Sequence, residues 1–180
     1  LRAGDIIRHL RDLVRRHPAA QIVLDLNALI RTVIRYAELE LHWGGVNLQL
    51  ELAESLPAVL ASDVQTQLVM LYLMRNAIEA MYETTTGPRW LIVRTDLEDP
   101  DTVRVTLSDS GPGLSPEAAE RLFQPFFSTK PGGMGLGLSA SRSIIESQGG
   151  QIWATPNPDR GLSLHFTLPV YHARGAPPAA

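Results

Sequence analysis

The 180-residue sequence contains no cysteine. Disulfides and thiolate metal centres are therefore excluded, although the compartment is not fixed by that alone. No apolar run approaches the ~18 residues of a membrane span, and no segment reads as a secretory signal. An excess of charge of one sign is lacking too. Sixteen Lys and Arg stand against 19 Asp and Glu, for a net charge of −3. The two signs are mixed along the chain, so there is no basic stripe for nucleic acid. Internal repeats are absent. What is present suits one domain with a small appended piece. A chain of this length buries roughly 70% of its unfolded surface and needs no covalent staple. It begins with Leu1 rather than Met, and the expectation is a fragment of a longer protein.

Residues 1–16 place Ile6, Ile7, Leu10, Leu13 and Val14 at helical spacing, and His17-Pro18 ends the pattern. A single amphipathic helix does not stand alone, so this one is expected to be the tail of an upstream helical element. Ile22–Leu24 reads as a short strand. Asp25 or Asn27 then caps a helix running to about Leu41, and Gly44-Gly45 makes a turn. Strands are expected at 46–52 and, briefly, at Ala58–Leu60. Ser62 or Asp63 caps a helix over Val64–Tyr82, with a core stripe of Val64, Leu68, Leu71 and Ile78. Residues 90–97 and 101–109 form a hairpin turning at 98–100. Residues 110–135 show little periodicity. Leu136–Gln148 reads as a helix stopped by Gly149-Gly150. Residues 151–155 and 162–168 form a second hairpin, with Leu162, Leu164, Phe166 and Leu168 on one face. Residues 171–180 are expected to be a disordered tail. Helices and hairpins come in blocks, which predicts a two-layer α/β sandwich: about five mostly antiparallel strands and three helices on one sheet face.

Three stretches carry chemistry. In DTVRVTLSD (101–109), Val103, Val105 and Leu107 alternate with polar residues, and the same phase puts Asp109 on the buried face. A buried carboxylate needs partners. It is either a structural turn cap before Ser110-Gly111, or an acceptor for a ligand's donor at a pocket mouth, with Gly111 and Gly113 baring the backbone beside it. In PGGMGLGLS (131–139), glycines 132, 133, 135 and 137 run straight into a helix, an arrangement that frees backbone N–H groups for an anion. Neither the G-x-x-x-x-G-K-[ST] nor the G-x-G-x-x-G pattern fits it. In RNAIEAM (75–81), Asn76 lies off the predicted core stripe, on a face with Val69, Tyr72, Glu79 and Glu83. That face is either solvated or offers an amide oxygen to a hard cation such as Mg²⁺.

In order along the chain, Asn76-Ala-Ile-Glu-Ala, Asp109-Ser-Gly111-Pro-Gly113, Phe123-Gln-Pro-Phe126-Phe127 and Gly133-Met-Gly135-Leu-Gly137-Leu resemble the N, G1, F and G2 boxes of sensor histidine kinases. MRNAIEAM, LFQPFFSTK, GMGLGLS and GGQIWATPNP look most like the FixL-type oxygen-sensor kinases. The resemblance covers about residues 25–169. It implies a GHKL (Bergerat) ATP-binding catalytic domain over 18–170: a mixed, mostly antiparallel five-stranded sheet and three helices. It further implies that Asp109 accepts a hydrogen bond from the adenine amino group, with Gly111 and Gly113 against the base. Asn76 would hold Mg²⁺. Gly133, Gly135 and Gly137, with Leu136 and Leu138, would wrap the phosphates of ATP. Residues 114–135 would form a mobile lid packed by Phe126 and Phe127. Thr129 and Lys130 would reach the nucleotide, Lys130 at its terminal phosphate, and Arg75 and Glu79 would flank the site.

The same resemblance makes residues 1–17 the end of the second helix of a dimerisation and phosphoacceptor hairpin. The implied partners are that hairpin's histidine, a response regulator and a second subunit. The implied location is cytoplasmic, free or as part of a membrane-bound sensor. Two positions depart from the family pattern. Tyr72 stands where many relatives carry a second Asn, and a phenol does not supply an amide oxygen to a metal. His9, followed by Leu10-Arg11, lacks the phosphoacceptor's acidic neighbour, so the fragment is expected not to phosphorylate itself. His17, His42, His165 and His172 have no metal-ligand spacing. Two rival readings are a GHKL ATPase and a degenerate, nucleotide-gated binding module.

Overall fold

The computed structural model describes residues 20–82, 87–128 and 135–173. The expected helix over 1–16, His9, Thr129, Lys130 and Gly133 lie outside these residues. The elements in chain order are β1 (Ile22–Leu24), α1 (Leu26–Gly44), β2 (Val46–Leu52), β3 (Val59–Ala61), α2 (Asp63–Tyr82), β4 (Arg89–Asp99), β5 (Thr102–Asp109), α3 (Pro116–Arg121), α4 (Gly137–Ser147), β6 (Ile152–Pro156) and β7 (Leu162–Pro169).

Five strands form a sheet in the order β2-β4-β5-β7-β6. All neighbours run antiparallel except β2 and β4, which are parallel. β1 and β3 pair as a separate antiparallel ribbon, which a bridge from Val59 to Val170 links to the end of β7. The sheet is built on period-two patterning. Val103, Val105, Leu107 and Asp109 of β5 are buried, as are Leu162, Leu164, Phe166 and Leu168 of β7. Each apolar side chain so buried contributes roughly 1.5–3 kcal/mol. The expected strand at 58–60 falls one residue later, at Val59–Ala61.

α1 starts at Asp25, whose carboxylate accepts from the Ala28 N–H at 3.0 Å. It runs three residues past the expected Leu41 and stops where Gly45 turns left-handed at φ 60°. Asn27, the other candidate cap, instead donates to the Ala53 carbonyl at 2.8 Å and accepts from the Thr95 hydroxyl at 2.9 Å. That network fastens α1 to the end of β2 and the middle of β4.

α2 corrects the expected core stripe. Val64 is 74% exposed and Leu68 36%. The buried positions are Thr66, Val69, Met70, Leu73, Met74, Ala77, Ile78 and Met81. α2 packs against α1, α4 and the sheet together, so apolar residues face several ways and no single stripe sets its phase. Gln148, just past α4, accepts from the Ser62 N–H at 2.6 Å and so ties the end of α4 to the start of α2. α3 was not expected. Ser115 caps it, accepting from the Ala118 N–H, and Pro116 opens it. Six residues are too few to show a 3.6-residue period.

Candidate functional site

β5 ends on Asp109, which is 5% exposed. Its Oδ1 accepts from the Gly111 N–H at 2.8 Å and from the Leu162 N–H at 3.3 Å. The Asp109 carbonyl accepts from Asn157 Nδ2 at 3.0 Å, and the Ser163 hydroxyl donates to Asn157 Oδ1 at 2.6 Å. Gly161 backs the same peptide. Its φ is +94°, and a Cβ there would lie 1.9 Å from the Asp109 carbonyl oxygen. Asp109 is thus a turn cap, and it is held from below by the β6–β7 loop as well. Sequence reasoning missed Asn157, Gly161 and the Leu162 amide. The turn signal Pro156-Asn157-Pro158-Asp159-Arg160-Gly161 was there, but a local pattern does not say what a loop touches across a sheet.

α2 runs along the site like a ruler. Tyr72, Asn76 and Ala80 are spaced four residues apart, so they lie on one face over roughly 12 Å. A Cβ on Gly111 would meet the Ala80 backbone and Cβ at 3.4 Å, and one on Gly137 would meet the Tyr72 ring at 3.2 Å. The Asp109 turn therefore touches one end of this face and the first residue of α4 touches the other. Asn76 lies between them. Arg75 and Glu79 form an ion pair at 2.8 Å with side chains 67% and 38% exposed, so it adds little stability. The Glu79 carboxylate raises the pKa of Arg75. Gly113, at φ +76°, turns toward Gly161 rather than toward α2.

At the other end, Leu136 precedes α4 without any side-chain cap. The helical ladder begins with the Ala140 N–H on the Leu136 carbonyl at 2.9 Å, so the N–H groups of 137–139 precede it. Leu138 is buried and anchors the turn. Gly135 adopts φ +64°, and a Cβ there would lie 2.4 Å from the Phe127 carbonyl oxygen. Its own carbonyl accepts from the Phe126 N–H at 3.1 Å. Phe126 is itself left-handed, at φ 66°, and 66% exposed. Of the two phenylalanines expected to pack this segment, only Phe127 does so. It lies on the core, with the Arg121 guanidinium 4.9 Å from its ring centre. The left-handed turn at Phe126 directs its neighbour's side chain inward and its own outward.

Among the described residues there is no group of three or more His, Asp or Glu that could hold a metal. The amide oxygen on the α2 face is that of Asn76, with the Glu79 carboxylate, paired to Arg75, three residues on; the Asn76 oxygen fits a hard cation arriving with phosphates. His165 is structural. It sits between the hydroxyls of Thr106 at 3.0 Å and Thr155 at 2.8 Å, stacked on Trp153. Burial lowers its pKa. His172 pairs with Asp101 at 2.8 Å, and the Tyr171 N–H donates to the Ala58 carbonyl. The rest of the expected tail, 174–180, lies outside the described residues. No helix among the described residues is long and apolar enough to cross a membrane.

Residues 62–172 match the family described as histidine kinase-, DNA gyrase B-, and HSP90-like ATPase. The chain is 42% identical over 170 residues to the sensor protein FixL of Bradyrhizobium diazoefficiens, covering 94% of this chain and 33% of FixL. It is 34% identical over 169 residues to the sensor protein TdiS of Thauera aromatica, covering 93% of this chain and 31% of TdiS. The chain thus spans about a third of the length of these relatives. Among solved structures, the catalytic domain of the histidine kinase ThkA superposes with a TM-score of 0.73 at 32% identity, over 83% of this chain and 95% of that one. ThkA in complex with its response regulator TrrA superposes with a TM-score of 0.70, over 84% of this chain and 42% of that one.

Proposed function

The chain belongs to the family of histidine kinase-, DNA gyrase B- and HSP90-like ATPases, as a catalytic domain of histidine-kinase type, and from that premise we propose that it donates the γ-phosphoryl group of ATP to a histidine outside this chain, for relay to an aspartate of a response regulator. The observation that carries the reading is the α2 face, with the Asp109 turn at Ala80, the start of α4 at Tyr72 and Asn76 midway. Adenine lies at the first end, where the Asp109 carboxylate accepts from its amino group and Gly111 leaves room for the ring. The phosphates lie at the second, against the N–H groups that open α4 beside Gly135, Leu136, Gly137 and Leu138.

Asn76 supplies an oxygen to Mg²⁺, and Glu79 stands one turn on. Bound Mg²⁺ supplies charge neutralisation for the phosphates. The family resemblance implies phosphate-end roles for Thr129, Lys130 and Gly133 as well. In the transfer, the lone pair of the acceptor imidazole nitrogen forms a bond to the γ-phosphorus as the bond to the β–γ bridging oxygen breaks. ADP leaves and the imidazole gives up its N–H proton. The chain's own contribution is position and charge. The whole protein adds the phosphoacceptor hairpin, dimerises through it and acts in the cytoplasm. The 42% identity to FixL supports reading this domain as FixL-like.

The test is phosphotransfer in trans. The chain is incubated with γ-labelled ATP and a separately supplied histidine hairpin from such a kinase. Label on the hairpin that is acid-labile and base-stable supports the reading. Steady ATP hydrolysis that needs no hairpin supports the GHKL ATPase instead.

A further inference from the structure

We propose that Tyr72 is a positioning residue for the phosphate end of this site, acting through its ring on Gly137. The proposal rests on the nucleotide reading above and goes one step further into it. Tyr72 is a half-buried residue on the exposed face of α2, one turn before Asn76. A Cβ on Gly137 would lie 3.2 Å from Tyr72 Cδ1, 3.5 Å from Cγ and 3.7 Å from Cε1. The ring therefore stands over Gly137 and leaves no comfortable room there for a side chain. Gly137 is the first residue of α4, and the residue before it offers no side-chain cap.

The ring is thus a fixed wall against the turn whose N–H groups meet the phosphates. A flat aromatic has few conformations to lose and holds such a spacing well. A shorter side chain at 72 leaves a gap there, and the first turn of α4 shifts toward α2 to fill it. Backbone hydrogen bonds to an anion weaken steeply with such misplacement. The phenol is not needed for this. The aromatic ring is.

The experiment compares adenosine with a non-hydrolysable ATP analogue, each titrated into the full chain by NMR with Mg²⁺ present. The readout is the ratio of the two dissociation constants, which isolates the phosphate end from the adenine end. Tyr72→Phe is expected to keep the wild-type ratio. Tyr72→Ala is expected to lower the ratio of the adenosine constant to that of the ATP analogue about tenfold, the size of one lost charge-assisted hydrogen bond. Gly137→Ala approaches the same contact from the other side and is expected to lower the ratio too, should Tyr72→Ala fold poorly.

An unchanged ratio in Tyr72→Ala and Gly137→Ala overturns the role of Tyr72 while leaving the nucleotide site intact. An equal loss of both ligands in Tyr72→Ala, or a loss in Tyr72→Phe as large as in Tyr72→Ala, also overturns it. A wild-type chain that binds neither ligand overturns the nucleotide reading and this proposal with it.

Discussion

The two ends of the α2 face are built by different means. At Ala80 the Asp109 turn sits in a network of hydrogen bonds reaching Gly111, Asn157, Leu162 and Ser163, over the interior of the sheet. At Tyr72 the contact across to α4 is van der Waals packing, a ring against a glycine, and the nearby polar links are local: the Phe126 N–H on the Gly135 carbonyl, and the Ser139 and Ser141 hydroxyls on the Leu136 and Gly137 carbonyls. The first end is over-determined, so changes that break its backbone support strike the fold as much as the ligand. The second is set by spacing, so changes there strike the ligand while the fold survives. A base of fixed shape suits the first kind of wall. A phosphate chain that changes during the reaction suits the second.

The largest expected effect lies at the over-determined end. Gly161→Ala combines a left-handed φ with a Cβ 1.9 Å from the Asp109 carbonyl oxygen. It is expected to cost about 2–4 kcal/mol of stability, read as a lower urea midpoint. Gly137→Ala meets only a ring at 3.2 Å and is expected to cost under about 1 kcal/mol in the same assay. Equal losses would break the comparison.

Asp109→Asn sharpens it. The amide oxygen still accepts from the Gly111 and Leu162 N–H groups, so the fold holds. Under the proposed function, recognition of the adenine amino group would lose its charged acceptor, and affinity for the ATP analogue is expected to fall about 10–100-fold, from about 1.5–3 kcal/mol. A Phe126→Gly change tests the backbone of the second end. Removing a side chain from φ 66° is expected to stabilise the fold by about 0.5 kcal/mol, the left-handed penalty less the added chain entropy.

The smallest effect is a pH dependence remote from both ends. His165 is surrounded by Thr106, Thr155 and the Trp153 ring. Burial first, and Arg104 second, lower its pKa, while Asp96 acts the other way. A folded-state pKa below the unfolded 6.5 means that the unfolded chain takes up the proton first. The contribution to stability is present above pH 6.5 and is lost as the pH falls toward the folded pKa. The melting temperature is expected to drop between pH 7.5 and 5.5, and to drop less in His165→Gln.

Both hairpins were legible because β5 and β7 alternate strictly, and the same phase placed Asp109 inside. The order of the Asn76, Asp109, Phe126 and Gly137 motifs pointed to the candidate site, and the structure brings Asp109, Asn76 and Gly137 to one helix face. The phase of α2 was not legible, because Val64 and Leu68 are apolar residues at a helix start that α1 and α4 do not cover. α3 was too short to have a period. The support beneath Asp109 comes from Asn157 and Gly161, 48 and 52 positions away in the sequence. Pairing of that range is set by the sheet order and not by any local pattern. The outward turn of Phe126 depends on a backbone angle that phenylalanine rarely adopts, so its type pointed the other way.

The central claim is that the α2 face between Tyr72 and Ala80 holds ATP with Mg²⁺ at Asn76. Calorimetric titration of the chain with a non-hydrolysable ATP analogue, with and without Mg²⁺, tests it most directly. The account predicts micromolar binding, about −8 kcal/mol, that weakens several-fold when Mg²⁺ is removed. Binding that ignores Mg²⁺ would contradict the role of Asn76, and no binding in either condition would contradict the site.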